Sequence, residues 1–157
     1  MDLVEADEAV SNFQFVFQKI VDLKSSEKTQ AEWLLSNALS TLHTEEHTLE
    51  QLQASKAEWE QQMLLATQNG ASLAEIQLFQ HYIEHLYTKI EAKLIDVKKA
   101  QFAVYNSRHE LGERLKDEKV WLKTKERAKQ QFDHSLKLKE QNELDELATA
   151  RFIMSAP

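Results

Sequence analysis

Two short motifs in this chain could do chemistry. "HTEEH" at 43–47 and "HYIEH" at 81–85 both read H-x-x-E-H. That is the helical spacing of the inverzincin zinc peptidases, in which two histidines one turn apart hold the metal and the glutamate works on a bound water. A catalytic zinc needs a third protein ligand and an open position for that water. Whether either motif has them depends on the elements that carry it.

Those elements follow from composition. The chain has 157 residues, with 2 Gly, 1 Pro and no Cys. The proline is the last residue, Pro157, so turn formers are scarce and loops must be few. Gln, Glu, Lys, Leu and Ala dominate, the bias of long helices and coiled coils. Without cysteine there is no disulfide, which fits a reducing compartment. The acidic start "MDLVEADEAVSN" lacks the basic and apolar regions of a secretory signal. No apolar run approaches the roughly 20 residues that span a bilayer.

The formal net charge is −7, unevenly spread. Residues 1–70 carry 4 basic and 12 acidic side chains, whereas 88–139 carry 14 basic and 8 acidic. Acids interrupt the basic stretch throughout, and few aromatics are placed to stack bases. It reads as a solvated helix face, and no nucleic-acid partner is expected.

One break stands out. "QNGAS" at 68–72 places Asn69 before Gly70, and Ser72 with Glu75 forms a capping box. Before it, apolar residues recur at three- and four-residue spacing: Phe13, Phe17, Ile20, Ala31, Leu35, Ala38, Leu42, Leu49, Leu52, Trp59, Met63 and Ala66, with Lys24, Glu27 and Glu45 on the same line. After it come Ile76, Phe79, Ile83, Leu86, Ile90, Leu94, Val97, Val104, Leu111, Leu115, Leu122, Phe132 and Leu136, with Gln101, Arg108, Glu118, Lys125 and Lys129 as polar members. A heptad pattern held this long predicts an all-α fold, a long antiparallel two-helix coiled-coil hairpin. The spacing predicts helix 1 over about 10–67, the turn at 68–72, helix 2 over about 72–150 and a short C-terminal tail, all in one domain.

Pairing about the turn puts facing positions at numbers that sum to about 139. Phe13 then faces Glu126, Leu52 faces Tyr87, and Trp59 faces Gln80. This pairing disposes of the opening motifs. His43 and His47 are displaced along the hairpin from His81 and His85 by more than about 10 Å of helical rise, so the two pairs cannot share an ion. Each is expected to be a pair of exposed histidines. We expect no metal, no cofactor and no catalytic residue, because two helices offer no pocket in which to desolvate a serine or aspartate.

Two apolar sets exceed what a bare coiled coil needs. Trp59, Phe79, Tyr82, Leu86 and Tyr87 gather near the turn. At the other end Phe15 and Val16 are surplus to the stripe of Phe13, Phe17 and Ile20. There the C-terminal segment adds Leu144, Leu147, Phe152, Ile153 and Met154. Aromatic anchors of this kind suit a partner surface.

The start F-x-F-x-φ-x-K-φ-φ-D-L-K (φ apolar) at Phe13–Lys24 resembles the N-terminus of the FliJ family of the bacterial flagellar export apparatus. The close Glu140-Gln141-Asn142-Glu143-Leu144-Asp145-Glu146, followed by Ala148 and Arg151, is similar to that family's E-Q-x-x-x-D-E ending. "NGASLAEIQLFQHYIEHL" matches its turn and second-helix start in placement. The resemblance implies a two-helix stalk like the central subunit of rotary ATPases. It implies that the end bearing both termini enters the flagellar export ATPase hexamer and promotes ring assembly and hydrolysis. Phe13, Phe15, Phe17, Glu140, Gln141, Asp145 and Glu146 would lie at that contact. It further implies a stripe nearer the turn, at Leu52, Trp59, Tyr82 and Leu86, that binds the cytoplasmic domain of the export gate FlhA. The next positions of that stripe hold Thr48, Ser55, Lys89 and Lys93, of which Ser55 stands in for an aromatic and the lysines for unlike residues. Escort of export chaperones is implied as well, with a place in the cytoplasm at the flagellar base and the membrane reached only through partners. Two other roles fit the same pattern: the stalk of a non-flagellar type III secretion system, and a generic coiled-coil adaptor.

Overall fold

The computed structural model describes residues 13–156. Two helices make up nearly all of it: α1, Gln18–Gln68, and α2, Leu73–Ser155. Among the described residues there is no strand. The helices pack against each other as an antiparallel hairpin. The chain forms two compact units. One joins the residues up to Lys28 with those from Arg114 onward, and the other is Thr29–Glu113.

The turn is built as its residues dictate. Gly70 takes φ 77°, a left-handed conformation that costs an L-residue about 1–2 kcal/mol. Ala71 N–H donates to the Ala66 carbonyl at 2.9 Å, and Gly70 N–H to that of Thr67 at 3.3 Å. This is a Schellman close, which satisfies carbonyls left open at the end of α1. Ser72 N–H then donates to Glu75 Oε2 at 3.1 Å, and Glu75 N–H donates to Ser72 Oγ at 3.3 Å. The capping box starts α2 one residue later. No atom lies within 4 Å of where a Gly70 Cβ would sit, so backbone conformation alone sets the cost of Gly70→Ala. We expect Gly70→Ala to destabilise the hairpin by about 1 kcal/mol, and Ser72→Ala by a similar amount. Thermal unfolding followed by circular dichroism checks both.

The packed line of α1 runs through Ile20, Lys24, Glu27, Ala31, Leu35, Ala38, Leu42, Glu45, Leu49, Leu52, Trp59, Met63 and Ala66, all buried or half-buried. Val21, one place off that line, is also buried. On α2 the line departs from expectation first at Leu94, which is exposed while Lys93 takes the seam, and again after Val97. It passes through Ala100 and Ser107 while Gln101 and Arg108 face solvent. Further on it keeps the expected Glu118 and Lys125 and adds Arg114, Trp121 and Ala128, leaving Leu115, Leu122 and Lys129 exposed. The cause is charge pairing: Arg114 reaches Glu27 at 3.1 Å and Glu118 reaches Lys28 at 3.5 Å, so these charges occupy the seam with partners across it.

Both helix ends also differ from the expected bounds. α1 begins at Gln18, so Phe13–Phe17 precede it; the expected residues 10–12 lie outside the described chain. α2 continues to Ser155 in place of ending near 150. No large side chain among those described is fully buried. The seam is thin, and its stability is correspondingly modest.

Candidate partner-binding sites

In the turn-bearing unit the seam brings aromatics together. Trp59 on α1 meets Tyr82 on α2 with ring centroids 4.9 Å apart, edge to face, and Phe79 at 5.8 Å. The pairs Trp59–Phe79 and Glu45–Lys93 sit within one residue of the expected register. An open hollow of about 550 Å³ results, lined by Trp59, Glu75, Leu78, Phe79 and Tyr82. Its walls are almost wholly apolar. Leu78 is 70% exposed and forms one rim. The sequence reading passed over Leu78 because it lies one place off the heptad line; its adjacency to Phe79 and one-turn spacing from Tyr82 were the available signal.

The four stripe residues differ in accessibility. Tyr82 is exposed, Leu52 and Trp59 are half-buried, and Leu86 is 4% exposed. Leu86 therefore holds the seam, and only its neighbours offer surface. Tyr87, beside it, lies under the Lys56 ammonium at 5.3 Å. His43, His47, His81 and His85 are all exposed. Among the described residues no three His, Cys, Asp or Glu side chains come together to hold a metal.

Charge also crosses this unit. Lys93 Nζ donates to Glu45 Oε2 at 2.8 Å and lies 3.3 Å from Asp96. The hydrogen bond to Glu45 is the main reason its pKa is raised, against the partial loss of hydration and with help from Asp96. A raised pKa means the folded chain holds this proton more tightly than the unfolded one. The stability it adds is complete below the ordinary lysine value of 10.5 and is lost as pH rises through the folded value. We expect the thermal midpoint to fall at the alkaline end, above about pH 10.5, and to fall less steeply in Lys93→Met. Melting curves across that range check it; the pair is partly solvated, so the effect is modest.

In the unit that holds residues 13–28, the rings form a second cluster. Phe13 packs on Phe132 at 5.4 Å, Phe15 on Phe17 at 5.8 Å, and Phe17 on Trp121 at 5.9 Å. Phe13 was expected beside Glu126. It reaches six residues further because the chain before Gln18 is not helical and so is not held to the roughly 1.5 Å rise per residue of a helix. Phe13, Gln14, Phe15, Gln18, Lys125 and Lys129 line a hollow of about 530 Å³. Glu140, Gln141, Asp145 and Glu146 lie on exposed turns of α2, past Phe132 by at least eight residues, or about 12 Å of rise. The structure thus does not join the phenylalanines and the acidic close into one patch. Every described residue from Lys137 onward is exposed, Leu144, Leu147, Phe152, Ile153 and Met154 included. No described helix is long and apolar enough to cross a membrane.

The described residues thus form a two-helix hairpin with two aromatic clusters and an exposed apolar stretch at the end of α2. The chain belongs to the FliJ family: the flagellar FliJ protein model matches residues 13–156. It is thus a protein of the flagellar type III export apparatus, from a family of structural and adaptor components. No curated protein matches the chain. Among solved structures it is similar to one from Chlamydia trachomatis described as a YscO homolog, CT670. The two are 14% identical, the match covers 92% of this chain and 99% of that one, and the TM-score is 0.41. So loose an overlap bears on neither fold nor role.

Proposed function

We propose that this protein is the stalk component that ties the flagellar export ATPase to the export gate. The unit holding Phe13, Phe15 and Phe17 together with the α2 end at Glu140, Gln141, Asp145 and Glu146 binds the ATPase hexamer and favours the closed ring. The turn-bearing unit binds the cytoplasmic domain of FlhA through Trp59 and Tyr82, with Leu52 beside them and Leu86 holding the register beneath. Export chaperones are further partners. The protein works in the cytoplasm at the inner face of the membrane and meets that membrane only through the gate.

The observation that carries this reading is the family match across residues 13–156. The exposed apolar side chains at the end of α2 and the hollow beside Trp59 support it, since each offers anchor positions of the kind that dominate binding energy. A ligand that prefers the closed ring over free ATPase subunits shifts assembly toward the ring. The test is ATP hydrolysis by the cognate export ATPase, titrated with this chain. Stimulation should saturate at well under one chain per ATPase subunit, as one stalk in a ring requires. Absence of both stimulation and binding would leave a generic coiled-coil adaptor.

A further inference from the structure

The face of α2 between Ile95 and His109 belongs to neither site above. The buried line of α2 here is Val97, Ala100 and Val104. At about 100° per residue, Phe102 lies about 160° from both Ala100 and Val104, so it points away from the seam. Ile95 is seven residues earlier on the same outward line, and Tyr105 is about 60° from it. Phe102 is 66% exposed and Tyr105 68%. Single exposed apolar residues are ordinary, but two aromatics and an isoleucine on one outward line form a patch that the hairpin itself does not use.

The charges around this patch have one sign. Lys98 and Lys99 sit one turn before Phe102, one on each side of it, while Arg108 lies about 120° round the helix from Phe102; all three are exposed. None makes an ion pair or hydrogen bond among the described residues, whereas Lys93, at the seam, is held by Glu45 and Asp96. Asp96, the one acid between 95 and 109, is engaged in that seam-side pair. Acids resume at Glu91 on one side and at Glu110 and Glu113 on the other. The basic apolar patch is therefore about 14 residues, or about 21 Å, long.

We infer that this face binds an acidic amphipathic helix presented by a partner protein. Apolar side chains spaced at i, i+3 or i+4, and i+7 would pack along Ile95, Phe102 and Tyr105, helix against helix. Flanking carboxylates would meet Lys98 and Lys99 on either side of Phe102, which also speeds encounter. The bounded length selects a discrete segment. An extended polyanion, such as a nucleic acid or an anionic bilayer, would run past the patch onto its flanking acids and against a chain of net charge −7. This surface stands apart from the proposed ATPase and gate contacts, and its test does not depend on them.

The test is fluorescence polarisation with the full chain and labelled 18-residue helical peptides. One set carries a Leu/Phe stripe flanked by Glu, and the other the same stripe flanked by Lys. Vesicles of phosphatidylserine in phosphatidylcholine and a single-stranded oligonucleotide are run beside them. The acidic peptides should bind and the basic ones should not. Phe102→Ala Tyr105→Ala should weaken binding at least tenfold, and Lys98→Glu Lys99→Glu should abolish it. Unchanged helicity in both variants shows that the loss is local. The proposal is overturned if the acidic peptides do not bind, if both variants bind as well as wild type, or if vesicles or oligonucleotide bind this face more tightly than the peptides.

Discussion

Deleting residues 140–157 should abolish stimulation of the export ATPase while moving the thermal midpoint of the hairpin by only a degree or two. The two effects separate because of where the segment lies. Every described residue from Lys137 to Ala156 is exposed, so the deletion removes little buried surface. Surface changes of that kind are usually worth within about 0.5 kcal/mol. The same segment carries Leu144, Leu147, Phe152, Ile153 and Met154, the last 87% exposed. Burying even two of them as anchors, at about 2 kcal/mol each, would account for a several-hundredfold change in affinity. ATP turnover with the truncated chain, alongside its melting curve, decides the matter. Full stimulation by the truncated chain would remove the tail from the contact and leave the Phe13–Phe132 cluster as the remaining candidate.

The second large effect is at the turn-bearing unit. Trp59→Ala Tyr82→Ala should weaken binding to the cytoplasmic domain of FlhA by about a hundredfold or more, from two anchors at about 2 kcal/mol each. Some stability will go as well. The Trp59–Tyr82 ring pair at 4.9 Å is itself worth about 0.5–1.5 kcal/mol. Leu86→Ala is the control. It is buried and should destabilise by about 2–3 kcal/mol, at the low end for a core leucine because the seam is thin. Its binding, measured well below its melting point, should stay within a few-fold of wild type. If the Trp59/Tyr82 variant unfolds at the measuring temperature, those rings are seam and the assignment to the gate fails. Titration calorimetry with circular dichroism on the same samples separates the cases.

How much of this could be read from residues alone varies along the chain. α1 was legible from Ile20 to Ala66 because three- and four-residue spacing holds along it, through one small shift at Ala31–Leu35 and the charged members Lys24, Glu27 and Glu45. The turn was legible because Gly70 and the Ser72/Glu75 box have few other uses. The aromatic cluster near the turn followed, since a tight turn sets register for the residues close to it. α2 beyond Val97 was less legible. Periodicity placed Glu118 and Lys125 on the seam, but it prefers apolar side chains to charged neighbours, so it chose Leu115 and Leu122 where the seam holds Arg114 and Trp121. Those charges are tolerated because Glu27 and Lys28 stand across from them, information that sits some ninety residues away. Phe13 was misplaced for a local reason: no capping residue marks where α1 begins, and a non-helical stretch shifts everything before it.

The ion pair between Lys93 and Glu45 has a mechanical consequence. Sliding one helix past the other by a heptad would carry the Lys93 ammonium from its carboxylate to Leu52 or to Ala38. Either leaves a charge facing an apolar neighbour inside the seam, while the turn at Asn69–Gly70 has no slack to feed such a slide. The pair and the tight turn thus mark one register of this unit. The preference is small, as a partly solvated pair allows, but it favours this register over a heptad slip in either direction.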